Sequence, residues 1–153
     1  MILKVGITGG IGTGKTTVAK VFEVLGIPVY YADDAAKRIM NEDQLLKAQL
    51  LQLFGTETYI DGKLNRKYLS RLVFNDEEKL AQLNAIVHPA TLADAGKWMQ
   101  QQTTPYAIKE AALIFESGAQ AQLDKVIGVF APAPVRIQRV MKRDGVSREE
   151  VKA

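Results

Sequence analysis

The sequence feature that most constrains this chain is a glycine-rich stretch close to its N-terminus. It reads Gly9-Gly10-Ile11-Gly12-Thr13-Gly14-Lys15-Thr16 and matches the phosphate-binding pattern G-x-x-x-x-G-K-[ST]. Glycines let successive backbone N–H groups point inward, where they hold phosphate oxygens at the start of a helix. The lysine brings a full positive charge toward the outer phosphates, and the threonine hydroxyl is a hard ligand that suits Mg²⁺. The stretch therefore predicts a site for a phosphorylated nucleotide.

The residues on both sides of the loop fit this prediction. A short apolar run from Ile2 to Ile7 precedes it, as is typical of a buried parallel strand. After the loop, apolar residues recur at helical spacing until Gly26 ends the pattern. The alternative, a glycine-rich turn that binds no ligand, does not require this strand–loop–helix context.

Strand-like and helix-like stretches alternate along the rest of the chain. This alternation predicts an α/β fold of the P-loop NTPase type, with a doubly wound parallel sheet and helices on both faces. Residues 43–102 are expected to be a helical insertion over the ligand edge of the sheet, and 132–153 a lid region. We expect residues 1–153 to form a single domain.

Several local expectations are specific enough to be compared with a structure. Asp43 is expected to open a helix and Asn65 to cap one, Asp61-Gly62 to form a turn, and Ser147-Arg148-Glu149-Glu150 to form a capping box. Asp33 or Asp34 is expected to cap a helix, because Asp is a common N-cap residue. Pro89 is expected to interrupt the following helical region, since the residue before a proline avoids helical angles. The third strand is expected to run from Tyr106 to Ile114.

Composition narrows the class of protein. Hydrophobic residues make up 47% of the 153 residues, enough for a core, and no cysteine is present for disulfides or thiolate metal sites. The formal net charge of +3 suits phosphorylated ligands but is too small to indicate nucleic-acid binding. No leader peptide, membrane span or obligate protein partner is indicated, so a cytoplasmic protein is expected.

Several polar residues follow the predicted strands, where doubly wound sheets bind ligands. Asp33 follows the second strand and is the candidate to orient an acceptor hydroxyl and take its proton, with a plain helix cap as an equal alternative. Glu116 follows the third strand. Glu110 either approaches Mg²⁺ or is a surface charge.

Two further features have competing interpretations. His88 is the only histidine, and a lone histidine is more often structural than catalytic. Arg136, Arg139 and Arg143 recur at helical spacing, with Lys142 beside them. They form either a solvated helix face or a lid that closes over nucleotide phosphates, because arginine matches phosphate geometry.

Taken together, these stretches resemble the dephospho-CoA kinase family. The loop Thr8–Thr17 is similar to the family's T-G-G-I-G-[ST]-G-K-[ST], and Gly26-Ile27-Pro28-Val29 with Ala32-Asp33 is similar to its G-I-x-V…A-D. Further matches are Phe54-Gly55, Asp61-Gly62-Lys63-Leu64-Asn65-Arg66 with Phe74, Leu83-Asn84-Ala85-Ile86-Val87-His88-Pro89, Leu113-Ile114-Phe115-Glu116 and Arg139-Val140-Met141-Lys142-Arg143-Asp144. They occur in order and cover nearly the whole chain.

The resemblance implies a P-loop kinase that uses ATP with Mg²⁺ to phosphorylate the ribose 3′-hydroxyl of dephospho-CoA, the last step of coenzyme A biosynthesis. It implies that Asp33 and Lys15 are catalytic and that Thr16 binds the metal. The remaining implied roles are ATP phosphate binding by Gly10, Ile11, Gly12, Thr13, Gly14, Lys15, Thr16 and Thr17, a lid with Arg139 and Arg143, and acceptor binding by Thr8, Asp33, Arg66, His88, Leu113 and Glu116.

The chain departs from the family pattern at Ala112, where proline is usual, and at Glu110, where Asp is frequent. The family pattern also continues past residue 153, so the lid region is expected to be truncated and to lack a C-terminal segment. Alternatives are another small-molecule kinase of this fold, acting on shikimate or a nucleoside monophosphate, a nucleotide-dependent switch, or a nucleic-acid-binding module. A GTP switch is disfavoured because neither Asp-x-x-Gly nor a guanine-reading motif is present.

Overall fold

Strands and helices alternate along the chain in the computed structural model, which describes residues 2–152. The strands are β1 (Leu3–Thr8), β2 (Val29–Tyr31), β3 (Tyr59–Ile60), β4 (Lys63–Leu64), β5 (Tyr106–Glu110) and β6 (Lys125–Gly128). The helices are α1 (Lys15–Val24), α2 (Ala32–Glu42), α3 (Gln44–Phe54), α4 (Arg66–Phe74), α5 (Glu77–Gln100), α6 (Ala133–Asp144) and α7 (Arg148–Lys152).

Two compact units divide these elements. The sheet unit contains the N-terminal residues through Tyr31 and the residues from Lys97 onward, and the helical unit is Ala32–Gly96. Within residues 2–152, no helix is both long enough and apolar enough to cross a membrane.

The sheet unit is built on a parallel sheet with the strand order β2–β5–β1–β6. β1 lies between β5 and β6, so that Val5 pairs with Ile108 on one side and with Lys125 on the other. Ile7 and Ile108 are completely buried, and helix α1 adds Ala19 to the same core cluster. A strand with neighbours on both sides and helices packed against it must be apolar, which explains the sequence of β1. The predicted α/β fold with a parallel sheet is confirmed.

The helical unit has its own core, contributed by three helices. Ile39 of α2, Leu46, Leu50 and Phe54 of α3, and Leu69 of α4 form one buried cluster. Side chains cap two of these helices as the sequence predicts. Asp43 accepts a hydrogen bond from the Leu46 N–H at 3.0 Å, and Asn65 accepts one from the Tyr68 N–H at 3.3 Å.

A tight hairpin joins β3 to β4 within this unit. Asp61 and Gly62, its two central residues, have φ angles of 51° and 79°. Two consecutive positive φ angles are the requirement of a type I′ turn, for which Asp-Gly is a preferred sequence. The predicted turn is confirmed, and it places Leu64 and Asn65 directly before α4.

Three local predictions are wrong. Neither Asp33 nor Asp34 caps a helix, because α2 begins at Ala32, immediately after β2, and both acids lie in its first turn. In that position their negative charges interact favourably with the positive end of the helix dipole. Pro89 does not interrupt α5, which is continuous over 24 residues. The flanking Ile86 and Ala90 pack against the core of the helical unit, and this packing outweighs one missing backbone hydrogen bond.

The third wrong prediction concerns β5, which ends at Glu110 instead of continuing to Ile114. The chain turns after Ala112, and the Ser117 hydroxyl donates to the Leu113 carbonyl at 2.6 Å. The apolar residues of this segment therefore belong to a turn that follows the strand. An apolar run alone does not distinguish such a turn from a continuing strand. In contrast, the predicted capping box before α7 is present, with reciprocal hydrogen bonds between Ser147 and Glu150.

Candidate active site

The glycine-rich loop connects the carboxyl end of β1 to α1, as the sequence predicts. Gly12 and Gly14 have φ angles of 75° and 91°, a region that residues with a Cβ atom rarely adopt. The Thr13 side chain is buried, and its hydroxyl donates to the Gly10 carbonyl at 2.8 Å, which closes the loop on itself. The loop backbone is therefore held in one conformation by its own contacts.

The loop leaves a group of hydrogen-bond donors without acceptors. Helix α1 begins at Lys15, and Gly14 before it provides no side-chain cap. Within residues 2–152, the backbone N–H groups of Lys15, Thr16 and Thr17 have no hydrogen-bond acceptor. No acidic side chain occupies this first turn. Free N–H groups at the positive end of a helix, together with the Lys15 ammonium, constitute an anion-binding site.

Two arginines of α6 hold the opposite side of the loop. The Arg136 Nε donates to the Ile11 carbonyl at 2.9 Å, and the Arg139 Nη1 donates to the Gly12 carbonyl at 3.2 Å. In a planar trans peptide the C=O and the next N–H point in opposite directions. The Ile11 carbonyl, fixed toward α6, therefore directs the Gly12 N–H away from α6, whereas the Thr13 N–H that follows the Gly12 carbonyl donates to the Gly10 carbonyl at 3.3 Å.

Close packing of α6 explains why the loop needs glycines. A Cβ atom on Gly12 would lie 2.6 Å from the Arg136 carbonyl oxygen, and one on Gly10 would lie 2.5 Å from the Arg136 guanidinium. The clash at Gly12 is with backbone, which cannot rotate away as a side chain can. The loop and α6 thus form one packed structure in which Gly12 lies against the backbone of α6.

We expect Gly12→Ala to lower the affinity for a non-hydrolysable ATP analogue about 5- to 150-fold, as roughly 1–3 kcal/mol of strain from the clash with the Arg136 backbone would do. Calorimetric titration measures this affinity. Gly26→Ala is the matched control, because Gly26 also has a positive φ, of 84°, but a Cβ atom there meets nothing within 4 Å. Gly26→Ala should lower thermal stability and leave nucleotide affinity unchanged. Equal nucleotide affinities for the two variants would contradict the role of Gly12.

Two oxygen-bearing side chains of the sheet unit suit a divalent cation. Thr16 is exposed in the first turn of α1, beside the free N–H groups. Glu110 is the last residue of β5, pairs with Ile7 of β1, and is only 5% exposed. Alternation along β5 puts Glu110 on the same face as Ile108, which packs with Ala19 of α1. A hydroxyl and a carboxylate are the ligand types that Mg²⁺ takes from P-loop proteins.

The helical unit contains a cavity of about 330 Å³ that Asp33 lines. Its charged and polar residues besides Asp33 are Lys37 of α2 and Arg66 and Ser70 of α4. Apolar side chains form the rest of the wall, namely Ala36, Met40, Leu64, Leu69, Val73 and Leu83. Asp33 is the only carboxylate of this cavity, so it is the only lining group that can accept a proton from a hydroxyl at neutral pH.

The structure thus brings Asp33 and Arg66 together within the helical unit, as the sequence analysis grouped them. His88 is half-buried on α5 and is not among the residues that line this cavity. In the sheet unit, the Thr8 hydroxyl donates to the Ala112 carbonyl at 3.2 Å, directly before Leu113. Leu113 and Glu116 are exposed beyond the carboxyl end of β5. Their proposed acceptor roles stay predictions.

The lid arginines differ in their surroundings. Arg139 contacts the loop, whereas Arg143 makes a two-pronged ion pair with its neighbour Asp144, with N–O distances of 2.7 and 2.9 Å. These hydrogen bonds hold the pKa of Asp144 below its ordinary value. Arg136 was a lid candidate only through its helical spacing with Arg139 and Arg143, which also fits a solvated face, and the family resemblance gave it no role.

The chain is similar to known proteins over nearly its whole length. The family model described as dephospho-CoA kinase matches residues 3–153. The dephospho-CoA kinase of Bacteroides fragilis is 35% identical over 152 residues, covering 99% of this chain and 74% of that protein.

Two solved structures have the same fold and similar sequences. The Thermus thermophilus protein TT1252 superposes with a TM-score of 0.82 at 38% identity, covering 98% of this chain and 76% of that one. The Campylobacter jejuni dephospho-CoA kinase gives a TM-score of 0.70 at 30% identity, covering 99% and 78%. A match that spans the loop, the Asp33 cavity and α6 shows that the chain belongs to the dephospho-CoA kinase family.

Proposed function

We propose that this chain transfers the γ-phosphoryl group of ATP to the ribose 3′-hydroxyl of dephospho-CoA, which yields coenzyme A and ADP. Family membership supports the reaction class. The observation that carries the residue assignment is the cavity of the helical unit, in which Asp33 is the single carboxylate among cationic and apolar side chains. An acceptor that carries a hydroxyl, phosphates and apolar groups is complementary to such a lining.

In this proposal the glycine-rich loop binds the phosphates of ATP. The backbone N–H groups of Gly10 to Thr17 surround the phosphate oxygens, and the Lys15 ammonium neutralises charge on the transferred group. Arg136 keeps the Ile11 carbonyl turned toward α6, which leaves the Gly12 N–H available, and Arg139 holds the Gly12 carbonyl on the same side. Arg139 and Arg143 are the proposed lid residues.

The proposed acceptor site in the helical unit is the cavity that Asp33 and Arg66 line. Asp33 orients the 3′-hydroxyl and takes its proton while the oxygen forms a bond to the γ-phosphorus. The bond between that phosphorus and the β,γ-bridging oxygen breaks, and ADP leaves with the electron pair. Arg66 contacts the acceptor inside the same cavity. Thr8, His88, Leu113 and Glu116 are the further proposed acceptor contacts.

Magnesium is the proposed cofactor. Thr16 would hold it through its exposed hydroxyl, and Glu110, a buried carboxylate of the sheet unit, directly or through water. The ion supplies charge neutralisation at the phosphates when it is bound. Removal of divalent cations with a chelator is therefore expected to abolish ADP formation, and added Mg²⁺ is expected to restore it.

An acceptor panel tests the proposed reaction. The chain is incubated with ATP and Mg²⁺ and with dephospho-CoA, shikimate or a nucleoside monophosphate, and ADP release is measured against a sample without acceptor. We expect dephospho-CoA alone to raise ADP release, with coenzyme A as the product identified by mass. ADP release with a nucleoside monophosphate or shikimate, and none with dephospho-CoA, would reject the proposal in favour of another small-molecule kinase of this fold.

A further inference from the structure

The helical unit has an uneven distribution of charge. Among residues 32–96 there are eight Lys and Arg against ten Asp and Glu, a net charge of −2. Half of these cations nevertheless line two adjoining cavities. Lys37 and Arg66 line the cavity that contains Asp33. Lys67 and Arg71 line the second cavity, which also includes Arg66. Only one of the ten carboxylates, Asp33, lines either cavity. A cationic region inside an acidic unit indicates a specific anionic ligand better than a generally basic surface does.

The second cavity has a volume of about 760 Å³ and lies along one face of α4. Its lining consists of Arg66, Lys67, Ser70 and Arg71, all of them exposed. It shares Arg66 and Ser70 with the Asp33 cavity, so the two adjoin. Three cations and a hydroxyl, with no carboxylate among them, match the donors that bind phosphate oxygens.

The arrangement is electrostatically unfavourable in the absence of a ligand. Lys67 and Arg71 are four residues apart on a helix, where like charges repel each other. Arg66 and Lys67 occupy the first turn of α4, where the helix dipole disfavours cations and where no acid is present. Within residues 2–152, none of the three has an acidic partner within 4.0 Å. Unfavourable clusters of like charge are expected where a ligand supplies the missing negative charge.

We propose that Lys67 and Arg71, with Arg66, form the binding site for the diphosphate group of the acceptor. The inference rests on the proposed function, because the acceptor ribose that offers its 3′-hydroxyl to Asp33 carries the diphosphate on its 5′ carbon. Both groups belong to one sugar, so their binding residues must be close together. Arg66 lines both cavities and connects the carboxylate to the cations. Lys67 and Arg71 thereby select acceptors that carry a 5′-diphosphate over unphosphorylated nucleosides.

Calorimetric titration tests the site without requiring turnover. The loop is first saturated with a non-hydrolysable ATP analogue and Mg²⁺, and the chain is then titrated with dephospho-CoA or with adenosine, which has the 3′-hydroxyl but no phosphate. We expect Lys67→Gln/Arg71→Gln to weaken dephospho-CoA binding about 5- to 30-fold, as the loss of two exposed ion pairs would do. Adenosine binding should change less than twofold. Salt should weaken dephospho-CoA binding to the unmodified chain more than to the variant.

Lys63→Gln is the matched control, because Lys63 is an exposed cation of the same unit outside both linings. It should leave both titrations unchanged. A loss below twofold for dephospho-CoA in the double variant, or an equal loss for both ligands, would overturn the diphosphate site while leaving the proposed reaction intact. Failure of the unmodified chain to bind dephospho-CoA would reject the proposed function and the site together.

Discussion

Replacing Asp33 with Asn is expected to lower kcat with dephospho-CoA by roughly 10²–10⁴-fold. The amide has nearly the same size and shape as the carboxylate, so the cavity keeps its volume and lining. It cannot take a proton from the acceptor hydroxyl, and the cavity contains no other carboxylate to do so. Steady-state ADP release at saturating ATP and dephospho-CoA measures the effect.

Asp34→Asn is the control for this prediction. Asp34 is the adjacent residue, is exposed like Asp33, and lies in the same first turn of α2, but it does not line the cavity. Both variants lose one negative charge near the start of the helix, so both should lose the same small amount of stability. A kcat decrease below about threefold for Asp33→Asn, or equal decreases for the two variants, would remove Asp33 as the general base.

Replacing Lys15 with Met is expected to lower kcat by about 10²–10³-fold, the usual loss when one preorganised donor to a developing negative charge is removed. Methionine keeps most of the apolar length of lysine and favours a helix, so α1 should still begin at this residue. The first-turn N–H groups remain as a weaker phosphate site. Nucleotide affinity should therefore fall less than kcat does.

Lys20→Met provides the comparison, since Lys20 is an exposed lysine on the same helix, away from the loop. Its kcat should stay within twofold of the unmodified chain. Thermal unfolding of both variants separates a catalytic effect from a folding defect. If Lys15→Met and Lys20→Met had the same kcat, the ammonium of Lys15 would have no part in phosphoryl transfer.

Local sequence signals predicted the parts of the structure that local interactions form. The loop pattern located Gly14 because a positive φ selects glycine at a fixed spacing before the Lys and Thr. Asp43 and Asn65 were readable as caps because a side chain three residues before an N–H satisfies that donor directly. The Asp61-Gly62 turn follows from the backbone angles of two adjacent residues. None of these features depends on a distant part of the chain.

Sequence signals failed where distant residues decide the outcome. Whether Pro89 breaks α5 depends on the packing of its neighbours, which outweighs the local preference. The segment after Glu110 is apolar enough to be a strand, but β5 ends at Glu110. The chain then forms a turn in which the Ser117 hydroxyl donates to the Leu113 carbonyl. From spacing alone, Asp33 was an even choice between helix cap and base; the family resemblance favoured the base, and the start of α2 at Ala32 removed the cap.

By itself, the sequence determined that a phosphate-binding loop lies between a buried strand and a helix, and that Asp33 follows the second strand. Only the tertiary structure decided what surrounds these groups. Arg136 donates a hydrogen bond to the loop carbonyl of Ile11, 125 positions away in the chain. Lys37 of α2 and Arg66 of α4 line the same cavity. The physical reason is that helix and turn preferences act over a few residues, whereas electrostatic and packing contacts depend on which elements fold against each other.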